Sequence, residues 1–343
     1  MGDVMIRMLA AVLAACFLIV VPAPAAAADD ERMEKLFTFK DPRITESSGL
    51  AVSPTHPGIY YTHNDSAAAP TFYAVDGEGR TRATYQVRGA EARDWEAMAA
   101  SKDPRTGRGV LWFADIGDNL DGAWPDVSIY KVMEPQRIGD ATLPAVRYRF
   151  RYADGARNAE GIMVNPRTGR LYVVSKEFAG SVYAAPKTLR TDRTNVLRKV
   201  AAAPIMATDA AYAPDGSSYV VRTYFSATLY KPSGETIARV AMPQLEQAES
   251  IAFTADGKAL LTGSEGARSP VYRVPLPARA RAATSPSAAP TPTPSPAKAE
   301  SSLDARADGP AADGGLSLKD VLIWLAAAAT AIGVITFIAR RTA

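Results

Sequence analysis

Three observations predict an all-β fold, a five-bladed β-propeller. One short pattern recurs five times, its copies stand 41 to 64 residues apart, and strand-like runs between Gly, Pro and Asp turns fill the intervals. The copies are Glu46-Ser-Ser48-Gly-Leu-Ala-Val-Ser-Pro54, Asp94-Trp-Glu96-Ala-Met-Ala-Ala-Ser, Asn158-Ala-Glu160-Gly-Ile-Met-Val-Asn-Pro166, Ala207-Thr208-Asp209-Ala-Ala-Tyr-Ala-Pro214 and Ala248-Glu249-Ser-Ile-Ala-Phe-Thr-Ala255. Aligned on the apolar run, the anchors are Ser48, Glu96, Glu160, Thr208 and Glu249, separated by 48, 64, 48 and 41 residues. The long second interval leaves room for a sixth blade.

Residues 1–28 are expected to be a signal peptide. Arg7 supplies the charged start, residues 8–21 are almost wholly apolar, and Ala26-Ala27-Ala28 offers a small-residue cleavage site. An uncleaved membrane anchor is the alternative. Leu13-Ala-Ala-Cys16 also matches a lipoprotein cleavage box, although Phe17 to Val21 carry the apolar run past the cysteine. Cys16 is the single cysteine of the 343 residues and leaves with the signal. The mature domain then has no disulfide, thiol nucleophile or cysteine metal site. With only His56 and His63, a multi-histidine zinc site is excluded.

The propeller is expected over 29–281, with four strands per repeat. In the third repeat these are 160–165, Leu171–Val174, Ser181–Ala184 and Asn195–Val200, with Pro166-Arg-Thr-Gly169 as the first turn. The fourth repeats this with Asp215-Gly216 as the turn, then Tyr219–Val221, Thr228–Tyr230 and Thr236–Val240. The fifth has only 249–254, Ala259–Thr262 and Val271–Val274. Its missing outer strand is assigned to Lys35–Phe39, so the chain's beginning closes the ring and removes an exposed edge.

Residues 282–316 are rich in Ala, Pro, Ser and Thr around Thr291-Pro-Thr-Pro-Ser-Pro296, too apolar-poor to fold, and read as a disordered stalk. Residues 317–340 hold the uncharged run 321–339, close to the ~20 residues that span a bilayer, and are expected to form a transmembrane helix. Arg340 and Arg341 favour a cytoplasmic tail at 341–343. The layout resembles that of Gram-positive surface proteins, without their Leu-Pro-x-Thr-Gly sorting motif. It implies a single-pass protein of the cell membrane with an extracellular propeller. A net charge of +3 with no long basic run gives nucleic-acid binding no support.

The start of each inner strand and the end of the next strand share one face beside the central channel, and both are polar in every repeat. Starts carry Glu46, Asp94, Glu96, Glu160, Asp209 and Glu249. Ends carry His63-Asn64-Asp65, Asp115-Ile-Gly-Asp118-Asn119, Lys176-Glu177, Arg222 and Ser264-Glu265. Arg93, Arg157, Lys176 and Arg222 interleave. Carboxylates this dense repel unless cations or a metal offset them. Calcium takes oxygen ligands in numbers that suit the set, and Asp94, Glu96, Asp115, Asp118 and Asn119 are the expected ligands. Ligand-binding candidates are Glu46, His63, Asn64, Asp65, Glu160, Lys176, Glu177, Asp209, Arg222 and Glu249. Turn capping and inter-blade ion pairing are the alternative role for any single one of them. Trp95 and Trp112 are read as packing between blades, with a stacking platform as the alternative, and Trp124 as a loop aromatic able to contact a ligand.

At these residues the chain resembles secreted bacterial propellers carrying His-Asn-Asp-Ser, Asp-Trp-Glu and Asp-Ile-Gly-Asp-Asn, here His63 to Ser66, Asp94 to Glu96 and Asp115 to Asn119. The Asn158-Ala-Glu-Gly161 step is similar to that of esterase-like, phytase-related and other TolB-like propellers, over roughly residues 35–276. The first group is mostly without assigned function. The second implies calcium-dependent hydrolysis of phosphate esters, although this chain has few lysines and arginines on the site face to hold a highly phosphorylated substrate.

Three functions follow as expectations. The first is a membrane-anchored ectodomain binding a ligand or protein partner on the acidic, calcium-shaped face. The second is a calcium-dependent hydrolase of phosphate esters, esters or lactones. In it Glu96 or Glu160 would act as base and Lys176 or Arg222 would stabilise developing charge. The third is a scaffold whose charges only stabilise the ring.

Overall fold

The computed structural model describes residues 32–65, 69–118, 122–278 and 280. The expected signal peptide, stalk, transmembrane helix and cytoplasmic tail, with Cys16, Ser66 and Asn119, lie outside these residues. Among the described residues no helix is long and apolar enough to cross a membrane.

The described chain is all-β, twenty strands that pair as five antiparallel quartets. The first is β2 (Ser47–Val52), β3 (Ile59–Asn64), β4 (Thr71–Asp76) and β5 (Thr81–Arg88). The second is β6 (Trp95–Lys102), β7 (Gly109–Asp115), β8 (Val127–Met133) and β9 (Ala141–Tyr152). The third is β10 (Ala159–Val164), β11 (Leu171–Ser175), β12 (Ser181–Ala184) and β13 (Asn195–Ala202). The fourth is β14 (Ala207–Tyr212), β15 (Tyr219–Thr223), β16 (Ser226–Tyr230) and β17 (Thr236–Ala241). The fifth joins β18 (Ser250–Phe253), β19 (Ala259–Gly263) and β20 (Pro270–Pro275) to β1 (Glu34–Thr38). β1 pairs with β20 from Glu34 opposite Arg273 to Thr38 opposite Pro270, so the strand assigned to Lys35–Phe39 takes the place expected of it.

The long second interval does not add a quartet. It is taken up by loops and by the twelve-residue β9, the outermost strand of its quartet. The two ends of β9 pair in parallel with neighbouring outer strands. Ala141 to Pro144 meet Tyr85 to Arg88 of β5, and Phe150 to Tyr152 meet Asn195 to Leu197 of β13. This one strand stitches three quartets along their rim.

Inner and outer strands differ in sequence for a packing reason. β2, β6, β10, β14 and β18 are mostly buried, and each carries at least one Ala or Gly, as in Ala159-Glu-Gly-Ile-Met-Val164. They touch in cyclic order, β2 to β6 to β10 to β14 to β18 and back to β2. Their Ala and Gly residues let neighbouring inner strands approach closely. The outer strands alternate buried and exposed residues, the pattern of a strand with one wet face. Five apolar clusters fill the spaces between consecutive quartets. The one between the first two includes Tyr61, Phe72, Tyr85, Trp95, Phe113 and Tyr130. The one that closes the circle joins Phe37, Phe39 and Tyr73 to Leu261 and Val271. Burying such aromatic rings contributes roughly 1.5–3 kcal/mol each. Trp95, stacked on Phe113 at 4.9 Å, is packing of this kind, as expected.

Candidate functional site

The repeated anchor has a structural meaning that the alignment does not reveal. In four quartets the pairing of the first two strands slips by one residue, between Ser47 and Gly49, Trp95 and Ala97, Ala159 and Gly161, and Ala207 and Asp209. The residues skipped are Ser48, Glu96, Glu160 and Thr208, which are four of the five anchors. Each is the extra residue of a β-bulge, a device that re-aims one side chain out of the alternating pleat. The two hydroxyl anchors clamp neighbouring quartets. Ser48 Oγ donates to the Glu96 carbonyl, and Thr208 Oγ1 donates to the Ala248 carbonyl at 2.9 Å. The two carboxylate anchors, Glu96 and Glu160, stand among the acidic groups at the mouth of the axis.

Around that mouth the carboxylates are crowded. Asp65, Asp94 and Glu96 each place an oxygen within 4.8 Å of the other two. Gly117 makes this approach possible. A Cβ there would stand 2.2 Å from Glu96 Oε1 and 2.3 Å from Asp94 Oδ2. Burial, then the charges of Glu160, Asp65 and Asp94, push the Glu96 carboxyl far above its ordinary range, and Lys176 only partly offsets them. Burial also raises Glu160, against the pull of Lys176, whose Nζ donates to Glu160 Oε1 at 2.8 Å. Burial works to lower Lys176, but the Glu160 carboxylate outweighs it and holds the ammonium charged. Its Nζ also lies 5.2 Å over the Tyr224 ring.

The remaining candidates divide by what they touch. Asp115 and Asp118, expected as metal ligands, bind backbone. Asp115 Oδ1 accepts the Asp94 N–H at 2.7 Å, and the Asp118 oxygens accept the Ala123 and Trp124 N–H groups at 3.2 and 2.9 Å. They shape the loops around the triad, while Asp65, read from sequence as ligand-binding, joins Asp94 and Glu96. The His63 ring is wholly buried, edge-on to Trp95 at 5.5 Å, and burial lowers its pKa, so it is a neutral core residue. Asn64 ties the chain together by accepting the Thr45 and Glu46 N–H groups and donating to the Arg43 carbonyl. Glu46 accepts the Asp65 N–H through its carbonyl at 2.8 Å. Glu177 accepts from Arg157 at 3.3 Å and from Ser175 at 2.7 Å. Trp124 lies 3.9 Å beneath the Arg93 guanidinium.

Asp209 is fully buried. Its oxygens accept the Ala210 and Ile251 N–H groups at 2.7 and 2.8 Å, and burial raises its pKa well above the ordinary range. Opposite it in the pairing stands Arg222, also fully buried. Its three guanidinium nitrogens make no hydrogen bond among the described residues, and burial lowers it to about 10 against the nearby charges of Asp209 and Glu249. Burial raises Glu249 as well, and its Oε2 is enclosed without a hydrogen bond.

Two members of the mouth are not in the candidate set read from sequence. Burial, then the charges of Glu249, Asp65, Glu46 and Glu160, push Glu265 to about 8. Its place at the polar end of a second strand is visible in the repeat. That its carboxyl faces four others is not. Tyr224 carries no sequence signal, being a loop residue between two strands.

The opposite end of the axis is a different surface. A cavity of about 490 Å³ opens there, lined by Leu50, Met98, Met163, Ala210 and Ile251 from the inner strands.

No family model matches the chain, and no curated protein matches it. Among solved structures, one titled "Structure of U3-55K" is similar at 10% identity over 71% of this chain and 98% of that one, with a TM-score of 0.39.

Proposed function

We propose that the chain is a five-bladed β-propeller, held at the cell membrane through 317–340 with the propeller outside. It binds calcium at Asp65, Asp94 and Glu96 and presents the metal-bearing acidic mouth to a ligand or protein partner. The propeller reading is supported by five quartets whose inner strands touch in cyclic order, closed by β1. One observation carries the metal reading. Three carboxylate oxygens from two quartets converge within 4.8 Å over a glycine that leaves them room. Hard oxygen donors of uneven geometry suit calcium better than the tight octahedron of magnesium. A divalent ion would offset the carboxylate repulsion that adds to burial in raising Glu96. The test is calorimetric titration of the chelator-stripped full chain with calcium chloride. One saturable site, lost in Asp94→Asn and Asp65→Asn, is expected; no binding heat and no thermal shift would end the reading.

The Glu160–Lys176 pair beside the triad favours the hydrolase as a second reading. Calcium would polarise a phosphate ester, ester or lactone, and Lys176 would meet the charge that develops. Turnover of generic esters by the full chain, lost with EDTA, restored by calcium and absent in Glu160→Gln, is its signature.

A further inference from the structure

The same five inner strands that carry the acidic mouth build an apolar funnel at the far end of the axis. Leu50, Met98, Met163, Ala210 and Ile251, one from each strand, are each 1% exposed and floor the cavity of about 490 Å³ that opens there. Exposure then rises along its wall. Val52, Ala100 and Tyr212 are half-buried, and Lys102, Pro166, Pro214 and Ala255 stand exposed at the rim. A buried floor beneath an exposed rim is a cavity entered from solvent, and its volume falls within the range of about 300–1,000 Å³ usual for small-molecule sites. Met98 and Met163 suit a floor that accommodates a guest, because an unbranched thioether side chain repacks easily.

Among the described residues the lining contains one charged side chain, Lys102, and no Asp or Glu. Lys102 forms no ion pair among the described residues. The carboxylates of the surrounding turns are engaged locally. Asp103 accepts the Arg105 and Thr106 N–H groups, each at 3.0 Å, and lies 4.0 Å from Lys131. Glu134 fills the space beside Gly109, the residue opposite Lys102, and accepts the hydroxyls of Ser53, Thr55 and Tyr61. In the groove adjoining the rim, Asp215 accepts from Ser217, and Asp256 from Thr254 and the Lys258 N–H.

We propose that this cavity binds a single-chain anionic amphiphile, of the class of a medium-chain fatty acid, with its apolar chain on the Leu50, Met98, Met163 and Ile251 floor and its carboxylate at Lys102. The apolar walls select the chain, and the one lining cation selects the sign of the head group. A funnel ringed by five strands admits one chain, and a two-chain membrane lipid would leave its second chain outside. The site shares no residue with the acidic mouth, so it stands or falls independently of calcium.

The test uses the full chain in lipid vesicles and decanoate carrying a terminal diazirine, which on irradiation inserts into the residues around the end of its chain. Labelled peptides are mapped by mass spectrometry, with decanoate, octanoate and decyltrimethylammonium as competitors compared at equal free concentration. Label is expected on β6 and β10 around Met98 and Met163. Two further buried methylenes should let decanoate compete at roughly a tenth of the octanoate concentration. Decyltrimethylammonium should compete at least about tenfold less well than decanoate, and Lys102→Met should erase that difference without changing the melt. Ala100→Leu, which adds bulk to the half-buried wall, should exclude the label. Label confined to other strands, or no axial label because water or the chain's own residues 282–316 fill the cavity, overturns the site. Equal competition by the two head groups, or a difference unchanged in Lys102→Met, overturns the anionic class. Equal axial labelling by a phospholipid with the same diazirine on one acyl chain overturns the free acid in favour of a bilayer lipid.

Discussion

Gly117→Ala tests the triad without changing its charge. Gly117 is not in the left-handed region, so alanine meets no backbone penalty and slightly restricts the unfolded chain. The new Cβ would stand 2.2 and 2.3 Å from Glu96 Oε1 and Asp94 Oδ2, where ordinary contact begins near 3.4 Å. Each oxygen must therefore retreat by about 1 Å. Calcium–oxygen bonds span only about 2.3–2.6 Å, so a displacement of that size takes two of the three carboxylates out of the shell. With calcium at about 100 times the dissociation constant, the wild-type chain gains about 2.7 kcal/mol of stability by mass action. If the variant binds about a hundredfold more weakly, the same calcium adds only about 0.4 kcal/mol. For a domain of this size about 2–4 °C accompanies each kcal/mol. Scanning calorimetry of the full chain should then show a calcium shift of roughly 5–11 °C falling to about 1–2 °C. In chelator the variant should melt within a few degrees of wild type, because flexible carboxylate ends can move aside. A full calcium shift in Gly117→Ala would refute the triad as the site.

Other perturbations have equally definite outcomes. Lys176→Met leaves Glu160 buried without its partner and is expected to cost about 3–5 kcal/mol in denaturant melts, with Glu160→Gln in the same chain recovering most of the loss. Asp209→Asn turns one acceptor of two backbone N–H groups into a donor, and should cost about 1–3 kcal/mol in the same assay. The pH profile follows from carboxyls whose folded pKa lies above its unfolded value, chiefly Glu96, Glu160 and Glu265. Below the unfolded value both states are protonated and nothing is lost. As pH rises, the unfolded chain ionises first, so the folded state loses stability until each folded pKa is passed. In chelator the chain should melt several degrees higher near pH 5 than near pH 8, and saturating calcium should flatten that slope. Below about pH 4 the trend reverses, as Asp41 and Asp76, held near 2, take up protons and lose their arginine partners. A melt independent of pH between 5 and 8 in chelator would contradict the crowded mouth.

Much of this architecture is local and so legible in one dimension. Strand identity follows from period-2 patterning and from turns such as Asp215-Gly216. Recurrence of those signals marks the quartets, and the three-strand fifth repeat points to a donor at the chain's beginning. The polar slots at strand starts and ends place a charged mouth on one face, because a hairpin returns the chain to where it began. Which atoms meet across that mouth is not local. Four anchors are bulge residues, and a bulge is a relation between two strands rather than a property of either. Asp65 replaces Asp115 and Asp118 in the triad because it arrives from the neighbouring quartet, while the two expected ligands are captured by backbone N–H groups of their own loops. His63 turns into the core because Trp95 and Phe113 stand against it. Sequence alone thus determined the strands, the repeat and the end on which charge gathers. The tertiary structure decided which carboxylates share one space, since that depends on how sheets distant in the chain pack around a common axis.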